Sequence, residues 1–134
     1  MAHTIQITVD AADPRGLGAF WCEVLGYQEQ PPPDGFDDWD QALDAMGIDR
    51  SDPNRACAIV DPDGVGPRVF FLKVPEAKTA KNRMHLDVHT DPARLHLRRD
   101  ELVDLGAVVV EEFDEPEGHW ITLLDPEGNE FCLQ

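Results

Sequence analysis

A chain of 134 residues with 42% apolar and 28% charged residues has the material for one packed domain, or for two half-size modules sharing a core. Its 11 Lys+Arg against 27 Asp+Glu leave a formal net charge of −16, a surface that repels phosphate backbones and anionic headgroups and so argues against nucleic-acid and membrane partners. No run approaches the roughly 18 apolar residues of a membrane span, the N-terminus lacks a secretory pattern, and 3 cysteines without a CxxC pair suit free thiols in a reducing cytoplasm.

His3 to Val9 alternates, which predicts a strand with Ile5, Ile7 and Val9 on one face and Gln6 and Thr8 on the other. Asp13-Pro14 reads as a helix start, with Asp as N-cap and Pro at the first helical position. Leu17, Phe20, Trp21, Val24 and Leu25 follow at helical spacing, and Gly26 is the stop. A short strand over Tyr27–Gln30 ends at three prolines. Asp34 to Asn54 is acidic and turn-rich, with room for a turn or two of helix around Trp39, Leu43 and Met46. Ala56–Val60 and Arg68–Val74 read as strands joined by the turn Asp61-Pro62-Asp63-Gly64.

After a polar linker the order repeats. Met84–His89 alternates, with Met84, Leu86 and Val88 opposite His85, Asp87 and His89. Asp91-Pro92 opens a second helix carrying Leu95, Leu97, Leu102, Val103 and Leu105, stopped at Gly106. Ala107–Phe113 is a strand, and Trp120–Leu124 and Glu130–Leu133 form a hairpin across Asp125–Asn129. This is an internal repeat of element order. It divides the chain into module 1 (1–76), a linker (77–82) and module 2 (83–134). The expected class is α+β, two βαβββ modules whose mixed, curved sheets form an incomplete barrel around a shared cavity.

Strand parity selects the candidate site. With Ile7 and Val9 beneath the first helix, Gln6 and Thr8 fall on the uncovered side of their sheet. By the same rule His85, Asp87, Glu130 and Cys132 share the uncovered side of the second. Asp87 beside His85 could orient the imidazole. Trp21 and Trp120 are candidate apolar walls, with helix-to-sheet packing the competitor for Trp21. His89, His96 and His119 have no partner at ligand spacing and read as surface residues. His3 lies too near the terminus to interpret.

Several segments resemble the vicinal oxygen chelate superfamily of glyoxalases, bleomycin-type resistance proteins and extradiol dioxygenases, and in particular its small actinobacterial glyoxalase-like proteins. They are Asp10–Pro14 leading to Phe20-Trp21 and Leu25-Gly26-Tyr27, then Lys81–Val88, then Leu105-Gly-Ala107 followed by Asp125–Cys132. Metal-dependent members of that superfamily hold ligands on the first and last strands of each module. Carried over, those positions are Gln6, His85 and Cys132, and the matching strand of module 1, Phe70-Phe71-Leu72, offers no carboxylate. A thiol and an apolar side chain thus stand where two oxygen ligands are expected. No metal or other cofactor is therefore expected, and Gln6, His85 and Cys132 are read as vestigial positions. A divalent cation, zinc before others, is the minority alternative.

The resemblance and the residues together imply a small-molecule-binding protein that recognises an aromatic or cationic metabolite or drug. Its expected ligand-binding residues are Gln6, Thr8, Trp21, His85, Asp87, Trp120 and Cys132. The alternative is a glyoxalase-type lyase or isomerase using a metal or a His85/Glu130 acid–base pair, with Glu130 otherwise a solvated carboxylate. A homodimer is the assembly that the resemblance implies. The 34–54 insertion reads equally as a lid, a dimer contact or a solvated loop.

Overall fold

The computed structural model describes residues 1–134. Strand β1 (Ile7–Ala11) leads into helix α1 (Pro14–Leu25), followed by β2 (Gln28–Glu29), α2 (Trp39–Ala45), β3 (Ala56–Val60) and β4 (Val69–Lys73). The second half has β5 (Asp87–Val88), a single 3-10 turn over Pro92–Arg94, α3 (Leu95–Asp104), β6 (Val108–Glu115), β7 (Gly118–Leu124) and β8 (Glu130–Leu133). Two open four-stranded sheets result, ordered β1-β4-β3-β2 and β5-β8-β7-β6. Their first strands pair in parallel with the last ones, β1 with β4 and β5 with β8, and all other pairs are antiparallel. The class is the expected α+β repeat.

The local signals for α1 act as predicted. The Asp13 side chain accepts from the Gly16 N–H at 3.1 Å, Pro14 starts the helix, and Gly26 closes it in the left-handed conformation at φ 70°. One face of α1 packs on the first sheet, where Gly18 lets the helix approach so closely that an added Cβ would lie 2.8 Å from Cys57 Sγ.

Another part of α1 packs on the second sheet. Trp21 lies 5.0 Å from Phe131 of β8, ring centre to ring centre, and Phe20 lies 6.1 Å from it. Polar ties reinforce this junction. The Trp21 indole N–H donates to Asp125 at 3.0 Å. The Glu127 carboxylate accepts from the Ala12 and Asp13 backbone N–H groups at 2.6 and 3.0 Å, and Arg98 donates to the Glu23 carbonyl. Phe131 alternates along β8 with Cys132, so α1 covers the side of that sheet opposite Cys132. One helix therefore serves the covered faces of both sheets, and the uncovered faces point away from it.

Some expectations fail locally. Ile5 is 70% exposed because the sheet begins only at Ile7, whose N–H is held by the Arg68 carbonyl. The Met84–His89 segment contributes just two residues of strand. In α3 only Leu95 and Leu102 are buried, while Leu97, Val103 and Leu105 face solvent, because their positions spread around the helix instead of forming one stripe.

Candidate functional site

A hollow of about 560 Å³ lies on the uncovered face of the second sheet, lined by His85, Asp87, Glu117, Trp120, Cys132 and Gln134 among others. Its floor follows from strand register. Asp87 is paired with Cys132 and Cys132 with Thr122, so alternate residues of β5, β8 and β7 present their side chains together. Trp120 is paired with Phe113 across β6 and β7, and the two rings stack at 5.1 Å with planes 18° apart. Phe113 was not foreseen as part of this wall, although it belongs to the same hairpin register.

The polar end is built from three donors. His85 Nδ1 lies 3.3 Å from Asp87 Oδ1, and the His85, Asp87 and Cys132 ligand atoms all fall within 4.8 Å of one another. Burial pushes the Cys132 thiol up from its ordinary pKa, and the Asp87 carboxylate adds to the rise. Thr122 Oγ1, 3.5 Å from the sulfur, acts the other way. The group is therefore a thiol at neutral pH. One imidazole, one carboxylate and one sulfur do not match a hard cation such as Mg(II) or Mn(II), which takes oxygen donors in octahedral geometry. The set has a single carboxylate, and the last-strand position on β8 holds the Cys132 thiol in place of one.

Gln6 and Thr8 stand apart from this hollow, on the uncovered face of the first sheet. Arg68 Nη1 donates to the Gln6 amide oxygen at 2.7 Å, Arg68 Nε donates to Gln30 at 2.7 Å, and Gln6 Nε2 donates to Thr8 at 3.3 Å. The guanidinium also sits 5.1 Å from the Phe70 ring centre. Gln6 Oε1, the first-strand position, is thus engaged by a guanidinium in this structure. Arg68 was not anticipated. Its signal was its place two residues before Phe70, the same parity on the same strand.

A separate hollow of about 420 Å³ opens on that first face, lined by Trp39, Leu43, Ile48, Ala58, Arg68 and Phe70 among others. Residues of the 34–54 insertion thus wall a cavity, with Trp39 fixed by its indole N–H to the Gln30 carbonyl at 2.8 Å. The hollow around His85 is lined by the second half alone and this one by the first half alone. Within one chain, Gln6 and Thr8 are therefore not among the residues that line the hollow around His85 and Trp120. The orientation imposed by α1 is the reason.

Two further site residues change role. Trp21 is 6% exposed in the core and bonded to Asp125, and it lines neither of the two hollows. Glu130 accepts from the Asn82 backbone N–H at 2.9 Å and from Lys78 Nζ at 3.3 Å. The backbone bond, with help from Lys78, holds its carboxyl below the usual glutamate range. A depressed, doubly engaged carboxylate is a poor general base, and Glu130 instead pins the segment before β5 to β8.

His96 and His119, read as surface residues without partners, converge with Glu112 on the covered side of the second sheet. His96 Nε2 lies 2.5 Å and His119 Nε2 2.6 Å from Glu112 Oε1. The sequence separations hide this grouping, and only the β6–β7 register reveals it.

Comparison with known proteins supplies the broader frame. The profile of the glyoxalase-like domain family matches residues 6–134. No curated protein matches the sequence. Among solved structures, the fosfomycin resistance protein FosX from Mesorhizobium loti is similar with a TM-score of 0.68 at 14% identity, over 100% of this chain and 91% of that one. A mutant FosX from Listeria monocytogenes, complexed with Mn(II) and 1S,2S-dihydroxypropylphosphonic acid, gives 0.70 at 12% identity, over 100% and 90%. A glyoxalase/bleomycin resistance protein/dioxygenase family enzyme from Burkholderia phytofirmans gives 0.66 at 16%, over 96% and 94%. At these identities the likeness is one of fold.

Proposed function

The chain belongs to the glyoxalase-like domain family, and we propose that it is a member whose metal site has degenerated and which binds an aromatic or cationic small molecule. The observation that carries this reading is the stacked Phe113–Trp120 pair beside the Asp87 and Glu117 carboxylates in the hollow of the second sheet. A flat cation gains from the face of an indole and from nearby negative charge, and the net charge of −16 steers it inward.

Gln6 and Thr8 join this site only across a homodimer, in which the first sheet of one copy faces the second sheet of the other. Support comes from the uncovered faces pointing away from α1, each with its own hollow. Three unpaired thiols suit a cytoplasmic setting. The module boundaries at 76 and 83 fit this scheme, with each half presenting one face.

The contact of 3.3 Å between His85 and Asp87 favours a second reading, an acid–base lyase or isomerase in which Asp87 orients His85. Tryptophan fluorescence titration with a panel of aromatic amines and quaternary ammonium compounds separates the two. The binder reading expects saturable binding without chemical change in the ligand, and Trp120→Ala should weaken it by about 1–2 kcal/mol, or roughly 5–30-fold. Conversion of any panel compound that is lost in His85→Ala would favour the enzyme. Light scattering giving a monomer mass near 15.0 kDa would remove the dimer.

A further inference from the structure

His96, Glu112 and His119 come from three different elements, the first turn of α3, the middle of β6 and the start of β7. Glu112 is paired with Ile121 and Asp114 with His119, so Glu112 and His119 share one face of the hairpin at diagonal positions. His96 reaches the same point from the helix above. Both imidazoles present Nε2 to a single carboxylate oxygen, their ring centres 5.6 Å apart, and the three ligand atoms lie within 4.8 Å of one another. The other carboxylate oxygen is 3.7 Å from Arg99 Nη1, and Arg99 is itself bonded to Asp100 at 2.8 Å. The guanidinium therefore occupies one side of Glu112 and leaves Oε1 to the histidines. Asp114, across the ladder from His119, adds a further negative charge on that side.

We propose that His96, Glu112 and His119 form a surface site for a late first-row divalent cation, zinc in particular. Two imidazole nitrogens and one carboxylate oxygen are a donor set suited to zinc, and the remaining position opens to solvent. His119 also borders the hollow around His85, but the two groups of donors, His96, Glu112 and His119 here and His85, Asp87 and Cys132 there, share no residue. Zinc bonds of about 2.0–2.1 Å in a tetrahedron set donors roughly 3.3 Å apart, so the nitrogens must each retreat from Oε1 by about 0.7–0.8 Å. Side chains that are 55%, 34% and 37% exposed can make that adjustment by small rotations, without moving the backbone. The bound ion ties α3 to the β6–β7 hairpin, two elements otherwise joined through few buried side chains.

The test uses the full chain carrying His85→Ala and Cys132→Ala, so that the other group of donors contributes nothing. After stripping with EDTA and dialysis, the protein is titrated with zinc chloride by calorimetry. One equivalent per chain is expected, in the micromolar range. Adding His96→Ala or His119→Ala should each weaken binding by at least about tenfold. Because both histidines are solvent-facing, circular dichroism should show these variants folded. Ring nitrogen NMR gives a second readout in the parent, with the Nε2 signals of His96 and His119 shifting on zinc addition. Unchanged affinity in the His96 and His119 variants, absence of submillimolar binding, or immobile Nε2 signals would each overturn the proposal.

Discussion

Replacing Asp125 by Ala tests the junction that orients the two sheets. Asp125 is 2% exposed, and its carboxylate accepts from the Trp21 indole, from the Glu127 and Asn129 backbone N–H groups, and from the Asn129 amide. Truncation leaves the buried indole N–H without an acceptor, at about 1–3 kcal/mol, while the turn N–H groups recover water and lose about 1 kcal/mol each. Removing a buried carboxylate returns part of that cost, so a net loss of about 3 kcal/mol follows. For 134 residues an unfolding entropy of about 0.28 kcal/mol/K turns this into a fall in Tm of roughly 10 °C. Trp21→Phe removes the indole donor alone and should cost roughly 2 kcal/mol. The double variant should fall short of the sum by about 1.5 kcal/mol, since both changes break one bond. Thermal and urea unfolding of the four proteins gives the cycle. A loss under about 1 kcal/mol for Asp125→Ala, or full additivity, would refute the clasp and return Trp21 to the pocket.

Further consequences are equally measurable. Gly18→Ala should destabilise by about 1–2 kcal/mol despite the better helix former, because its Cβ meets Cys57 Sγ at 2.8 Å, and Cys57→Ala should restore much of the loss in the pair. Glu130 has its pKa depressed in the folded state, so its stabilisation is complete above the ordinary glutamate value of about 4.3 and is lost as pH falls through the lower folded value. Glu130→Gln should therefore flatten the acid side of a Tm–pH profile and leave its shape at neutral pH unchanged. Burial pushes the Cys57 thiol up to about 11 and raises Cys22 and Cys132 as well, so at pH 8 all three should react with Ellman's reagent more slowly than free cysteine. Reaction of Cys132 at the free-thiol rate would contradict the environment described for it.

The order of elements was legible because its signals are local. Asp13-Pro14 and Gly26 bound α1, alternation marks β7 and β8, and the Asp125–Asn129 turn joins them. Strand parity likewise grouped His85, Asp87, Glu130 and Cys132, of which His85, Asp87 and Cys132 line one hollow with Trp120, while Glu130 is engaged by Asn82 and Lys78 instead. What escaped was non-local. The Trp21–Asp125 bond spans 104 positions, and without it nothing in either half says which way the uncovered faces turn. Arg68 engages Gln6 from 62 residues away, and His96 meets Glu112 across 16. The turn Asp-Pro-Glu-Gly-Asn looked like a connector, yet Asp125 and Glu127 within it fasten the two halves together.

Calorimetry with EDTA-treated protein addresses the proposed function most directly, using the tightest aromatic cation found by the fluorescence panel. The account predicts the same affinity before and after chelation, and a loss of roughly 5–30-fold in Trp120→Ala with Tm nearly unchanged. Binding that vanishes on chelation and returns with a divalent ion, or that ignores Trp120, would contradict it.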